Sequence, residues 1–230
     1  MRHLIRRTAG ALLCLGVALP VAAQVTTVDE GSFTITRGGQ RAGAEVFNIR
    51  QTPGAERGMI LVASATITAG ERRVLPALRT DERGLPLAYQ IDVRVGGESR
   101  ERLTGLVGRG RFSAQLHTAG GESASEFVVA DGARLVDEDI FHQYYFLVLG
   151  NRRGAVPVII PRRGEQVTVE VVERGAEAVA VGGRSLAATR LTVLVNGTPD
   201  RDVWVDGAGR ILKVEIPARQ VVALRDEPPR

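Results

Sequence analysis

Apolar and polar residues alternate along most of this chain, in short runs closed by glycine-rich turns. A period of two puts successive side chains on opposite faces of a strand. Phe33 and Ile35 alternate with Thr34 and Thr36, and Arg37-Gly38-Gly39-Gln40 turns the chain into Glu45-Val46-Phe47-Asn48-Ile49. After Thr52-Pro53-Gly54 the stretch from Met59 to Thr68 is β-branched and nearly continuous, which predicts a central strand covered on both faces. The cleanest alternation runs from Leu87 to Val95, with Leu87, Tyr89, Ile91, Val93 and Val95 on one face and Gln90, Asp92 and Arg94 on the other. Further strands are predicted at 101–107, 111–118, 125–130, 156–160, 166–173, 176–181, 186–195, 202–206, 210–216 and 221–224. The short connections leave no room for crossover helices, so the strands form an antiparallel meander and not a parallel sheet.

One segment departs from this pattern. From Asp137 to Gly150 the apolar spacing becomes helical, with Ile140, Phe141, Tyr144, Tyr145 and Val148 on one stripe. Asp137 suits an N-cap, Glu138 and Asp139 suit a first turn, and Gly150 suits the position after the last turn. The segment holds two of the six phenylalanines and two of the three tyrosines in a chain that is 4% aromatic. A sheet of about ten strands curls rather than staying flat. The predicted fold is therefore all-β: a curved antiparallel meander forming a half-barrel or conical barrel, with one short helix (about 137–149) across its opening.

The first residues lie outside this fold. Arg2, His3, Arg6 and Arg7 precede an apolar run from Ala9 to Leu19, and Val21-Ala22-Ala23 offers small residues before Gln24. This is the anatomy of a secretory signal peptide, cleaved near Ala23, with an apolar run too short for a membrane span. The predicted division is a leader at 1–23, one domain at 24–226 and a frayed tail at 227–230 around Pro228-Pro229. Leu13 before Cys14 is not the small residue that lipid attachment requires, so the sole cysteine leaves with the leader, and thiol and disulfide chemistry go with it. Of 30 basic residues three lie in the leader, so 27 face 26 acidic ones in the mature chain. A near-neutral chain with Lys213 as its only lysine does not point to nucleic acid. The expected location is the periplasm or beyond, with no stable membrane span after leader cleavage.

Catalytic patterns are sparse. No G-x-S-x-G elbow is present, and the mature chain has only His117 and His142. Asp137, Asp139 and His142 lie within six residues and are the one cluster with metal-ligand chemistry, although as helix-capping acids they need no metal. The run from Gly105 to Gly110 resembles a phosphate loop only superficially, since a strand follows it. Asn196-Gly197-Thr198 reads as a hairpin turn before it reads as a glycosylation site, Asp206-Gly207-Ala208-Gly209 reads as a turn, and Trp204 between Val203 and Val205 reads as packing. No cofactor and no catalytic residue is expected.

The last hairpin, Val203-Trp204-Val205-Asp206-Gly207-Ala208-Gly209-Arg210-Ile211-Leu212-Lys213-Val214, resembles the Trp-x-Asp-turn-Gly-x-x-Leu hairpin of periplasmic lipoprotein-carrier proteins and related lipid-binding half-barrels. The opening, Gly31-Ser32-Phe33-Thr34-Ile35 through Gly38-Gly39 to Ala44-Glu45-Val46-Phe47, is similar to the start of an uncharacterised family of secreted bacterial β-rich proteins. Together the matches cover about a fifth of the chain. The resemblance implies a curved sheet with a concave apolar face, and non-catalytic binding of a lipid, glycolipid or other amphiphile at the cell envelope. Phe47, Ile49, Tyr89, Ile91, Phe112, Leu116, Phe127, Phe141, Tyr144 and Tyr145 stand at positions that line such a face or belong to the helix over it. Two other readings remain: a ligand-free module that binds an envelope protein partner, and a metal-assisted hydrolase around Asp137, Asp139 and His142.

Overall fold

A computed structural model describes residues 25–54, 58–150 and 153–230. The predicted leader, Cys14 included, lies outside the described residues. The first eight strands are β1 (Thr26–Arg37), β2 (Gln40–Pro53), β3 (Met59–Ala69), β4 (Arg72–Asp81), β5 (Pro86–Val95), β6 (Glu98–Gly108), β7 (Arg111–Thr118) and β8 (Gly121–Val128). A short β9 (Arg134–Leu135) and a helix α1 (Tyr144–Val148) follow. The chain then forms β10 (Gly154–Ile160), β11 (Glu165–Val181), β12 (Arg184–Val195), β13 (Thr198–Val205), β14 (Ile211–Ile216) and β15 (Val221–Arg225).

All fifteen strands belong to one open, curved sheet, in the order β8-β7-β6-β5-β4-β3-β2-β1-β15-β14-β13-β12-β11-β10-β9. Pairing is antiparallel except for the two-residue contact of β9 with β10. The first and last strands meet in the middle of the sheet, where Phe33 faces Arg225 and Arg37 faces Val221. The meander, the all-β class and the single short helix are as the alternation predicts.

The inward face carries one row across six strands: Ile49, Ala63, Leu78, Tyr89, Gly105 and Ala114. Three small residues, Ala63, Gly105 and Ala114, stand in the row beside the larger Ile49, Leu78 and Tyr89 and leave room for side chains packed over them. Gly105 is small for a specific reason. A Cβ there would lie 2.6 Å from Cζ of Phe112, whose ring covers the glycine from the next strand. Gly105→Val should lower stability by about 1–3 kcal/mol through this overlap. Thermal unfolding of the variant checks it, and Gly105→Val should cost less in a Phe112→Ala background than in the wild type, because the overlap is gone.

Three elements differ from the sequence expectation. β3 is covered on one face only: Leu61, Ala63, Ala65 and Ile67 are buried, while Ile60 and Val62 are half-buried between them. β4 was not expected. It carries Pro76 at its centre, and the β3–β4 pairing lapses there, between Ala77 and Val74, where proline cannot donate a hydrogen bond. The strands expected at 166–173 and 176–181 are one strand, β11, with a register shift between Glu173 and Gly175 that bends it without ending it. The Asn196-Gly197 turn is a hairpin as read, both residues having positive φ (51° and 76°) as a type I′ turn requires.

After β8 the chain crosses to the concave side of the sheet and fills it, pairing with the sheet on the way through β9. Ala133 to Asp137 and Ile140 to Val148 are buried, and their apolar members join one cluster with the inward residues of both halves of the sheet. This plug is not the amphipathic helix expected over 137–149. Only Tyr144–Val148 is helical, and all five residues are buried, as befits a helix apolar all round. Gln143 and not Asp137 precedes the helix, without a side-chain cap. Gly150, at φ 73°, does follow its end.

A second, smaller cluster lies on the other side of the sheet. Trp204 points away from Val203 and Val205 and packs with Val179, Val181, Ala188 and Leu212. Lys213 and Arg190 lie 4.2 and 5.3 Å from its ring centroid. Packing is thus the role of Trp204.

Candidate functional site

Two carboxylates hold the plug against the sheet. Glu45 shares the inward face of β2 with Phe47 and Ile49, and is fully buried. Its Oε2 accepts the Phe141 backbone N–H at 2.8 Å, and its Oε1 accepts the His142 N–H at 2.8 Å. The same Oε1 lies 2.6 Å from Nδ1 of His142, a hydrogen bond that the ring donates when that nitrogen carries its proton. Phe47 stacks on the His142 ring at 5.7 Å, and Phe33 stacks on Phe47 at 5.1 Å.

Asp137 is the second anchor. It accepts from the Tyr89 hydroxyl at 2.8 Å and from Nε of Arg162 at 2.9 Å. Its backbone N–H donates to Oε1 of Gln143 at 2.7 Å. Burial pushes the Asp137 carboxyl above its usual range, against the pull of Arg162 and Tyr89. Burial, then the adjacent Asp137 charge, holds the Tyr89 hydroxyl well above the usual phenol range, so it remains a neutral donor. Tyr144 is likewise raised by burial, with Arg201 opposing.

The metal cluster read from sequence is taken apart by this geometry. Asp137 faces Tyr89 and Arg162, His142 faces Glu45, and Asp139 turns outward at φ 59° to pair with Arg219 at 2.7 Å. Among the described residues no three His, Cys, Asp or Glu side chains are placed to hold a metal ion.

Two clefts open at the end of the sheet where the plug loop Glu138–Asp139 reaches the surface. The larger, about 270 Å³, lies between the plug and β10–β13. Val136, Tyr144 and Leu147 form one wall, and Val158, Val169 and Val193 are among the residues of the other. Arg163, Glu165, Asp200 and Arg201 stand at its mouth. The smaller lies across the plug, between Phe141 and the ends of β1–β4. Among the described residues no helix is long and apolar enough to cross a membrane.

The ten residues expected to line an apolar face all lie in or against the main cluster. Phe47, Ile49, Tyr89, Ile91, Phe112, Phe141, Tyr144 and Tyr145 are buried within it, and Leu116 and Phe127 pack against it partly buried. Phe141 and Tyr144 reach the two clefts just described, and Tyr145 borders a third hollow beside the turn at Asp206–Gly209. Sequence reasoning missed Glu45, Arg162 and Gln143. Glu45 had a signal, since it shares the parity of Phe47 and Ile49. Arg162 and Gln143 had none.

No family model and no curated protein matches this chain. Among solved structures it is similar to a β-barrel-like protein, a domain of unknown function (DUF1849), from Brucella abortus. The two share 11% identity at a TM-score of 0.53, over 89% of this chain and 97% of that one. At that identity the likeness is one of fold: a β-rich, barrel-like domain built on an open antiparallel sheet.

Proposed function

We propose that the protein is a non-catalytic binding protein of the cell envelope, whose ligand is a lipid, glycolipid or other amphiphile. The observation that carries this reading is the larger cleft. Its walls are valine, leucine and tyrosine side chains, its mouth is charged, and its volume of about 270 Å³ falls just below the usual span of small-molecule sites. An apolar tail gains by leaving water for such walls, and a polar head stays among the charges at the mouth. The resemblance of the last hairpin to lipid-binding half-barrels points the same way, and the signal-like leader supports the location.

Native mass spectrometry of protein purified from an envelope extract tests the reading, followed by organic extraction. A discrete adduct of lipid mass is expected. Val195→Trp should abolish it, because residue 195 is half-exposed on the cleft wall and the indole fills the space. A clean mass from the unaltered protein overturns the reading. It leaves the ligand-free interaction module, for which the unpaired edge of β8, with Val128 66% exposed, is the available surface.

A further inference from the structure

The two clefts at the plug-loop end differ in their charge. In the larger one the cations are already matched: Arg163 meets Glu165 at 2.8 Å, and Arg201 is held by Asp200 and the Tyr144 hydroxyl. The smaller cleft has about 120 Å³, room for on the order of ten water molecules. Ile35, Ile67, Val74, Phe141 and Val221 give it an apolar lining. Its charged groups are Arg37, Arg72 and Arg162 against Glu138 and Asp139. Arg162 is committed to Asp137. Asp139 is paired by Arg219 at 2.7 Å from outside the cleft, and Glu138 lies 3.8 Å from Arg163, which it shares with Glu165. Arg37 and Arg72, from the ends of the neighbouring β1–β2 and β3–β4 hairpins, have no carboxylate partner among the described residues. Arg72 is half-buried and Arg37 is exposed, so one cation stands inside the rim and the other over it. Two unmatched guanidinium groups over an apolar lining complement one kind of occupant: an anion attached to an alkyl chain.

We infer that the smaller cleft binds a medium-chain acyl anion, with the chain on the apolar lining and the carboxylate between Arg37 and Arg72. This goes beyond the amphiphile reading above, which rests on the larger cleft, and adds a separate site selective for anionic chains.

Isothermal titration with octanoate, octyl glucoside and acetate separates the two claims. Octanoate should bind at least about tenfold more tightly than octyl glucoside, an advantage that shrinks as salt is raised. The double substitution Arg37→Gln/Arg72→Gln should level the two, and Arg37→Lys/Arg72→Lys should keep most of the difference. Equal binding of octanoate and octyl glucoside, with the glutamine variant indifferent, overturns the inference and leaves the amphiphile reading standing. Binding of neither overturns the inference, and the native adduct measured above decides the amphiphile reading by itself. Acetate binding as tightly as octanoate overturns the inference by showing a free-anion site that makes no use of the chain.

Discussion

Replacing Glu45 with alanine should cost about 3–5 kcal/mol of folding stability, as expected when several buried donors lose one shared acceptor. The substitution removes three acceptor contacts at once. The backbone N–H groups of Phe141 and His142 lose their partner, and so does Nδ1 of His142. Each buried donor left unpaired costs about 1–3 kcal/mol. The imidazole suffers most, because its Nε2 is also buried without a protein partner, so the ring would have none at all. Glu45→Gln should fall between the two, since an amide oxygen can accept from only part of this set and its NH₂ faces donors. Urea unfolding checks the loss, read as a lower midpoint with an unchanged slope. Hydrogen exchange localises it: the amides of Phe141 and His142 should lose protection before those of the β5–β6 pair. If Glu45→Ala unfolds at the wild-type midpoint, the carboxylate is not what seats the plug.

That a glutamate seats the plug shows how far the sequence could be read. Alternation in β2 and β5 placed Phe47, Ile49, Tyr89 and Ile91 on the inward face, and the structure has them there. The same parity put Glu45 inside, but a carboxylate on an apolar face looks like a solvent residue until its partners are seen, and they lie 96 and 97 residues away. The plug was misread in form because Ile140, Phe141, Tyr144 and Tyr145 are also what a fully buried irregular segment needs. Helical spacing cannot separate the two when every side is covered. β4 is hidden in the sequence because Pro76 and five arginine, aspartate or threonine residues at its ends mask a strand whose large inward residues, Val74 and Leu78, are few. The clefts had no local signal, since their walls come from the plug and from strands on both halves of the sheet.

The seam between the first and last strands gives the second large effect, and it can be cancelled as well as caused. Arg225 is buried at the β1–β15 join. It meets Asp29 with two parallel contacts, Nη2 to Oδ1 at 2.7 Å and Nη1 to Oδ2 at 3.0 Å. Its remaining donors reach the carbonyls of Glu30, Ile211 and Glu227, so the guanidinium is matched on every side. Gly31 makes the space, since a Cβ there would lie 2.9 Å from Nη2. Asp29→Ala leaves this cation buried without its anion, and should cost about 3–5 kcal/mol. Arg225→Leu leaves the Asp29 carboxylate in the same position and should cost a similar amount. The double variant carries neither stranded charge. It should therefore be more stable than the sum of the two single losses by about 2–3 kcal/mol, the coupling expected of a contacting pair. Arg225→Lys should not rescue, because one ammonium cannot supply the parallel contacts and the three carbonyl bonds together. Additive single losses would show that Asp29 and Arg225 act separately. A coupling of the expected size makes the pair a clasp, joining residues 196 apart in sequence and so fixing the register in which the two halves of the sheet meet.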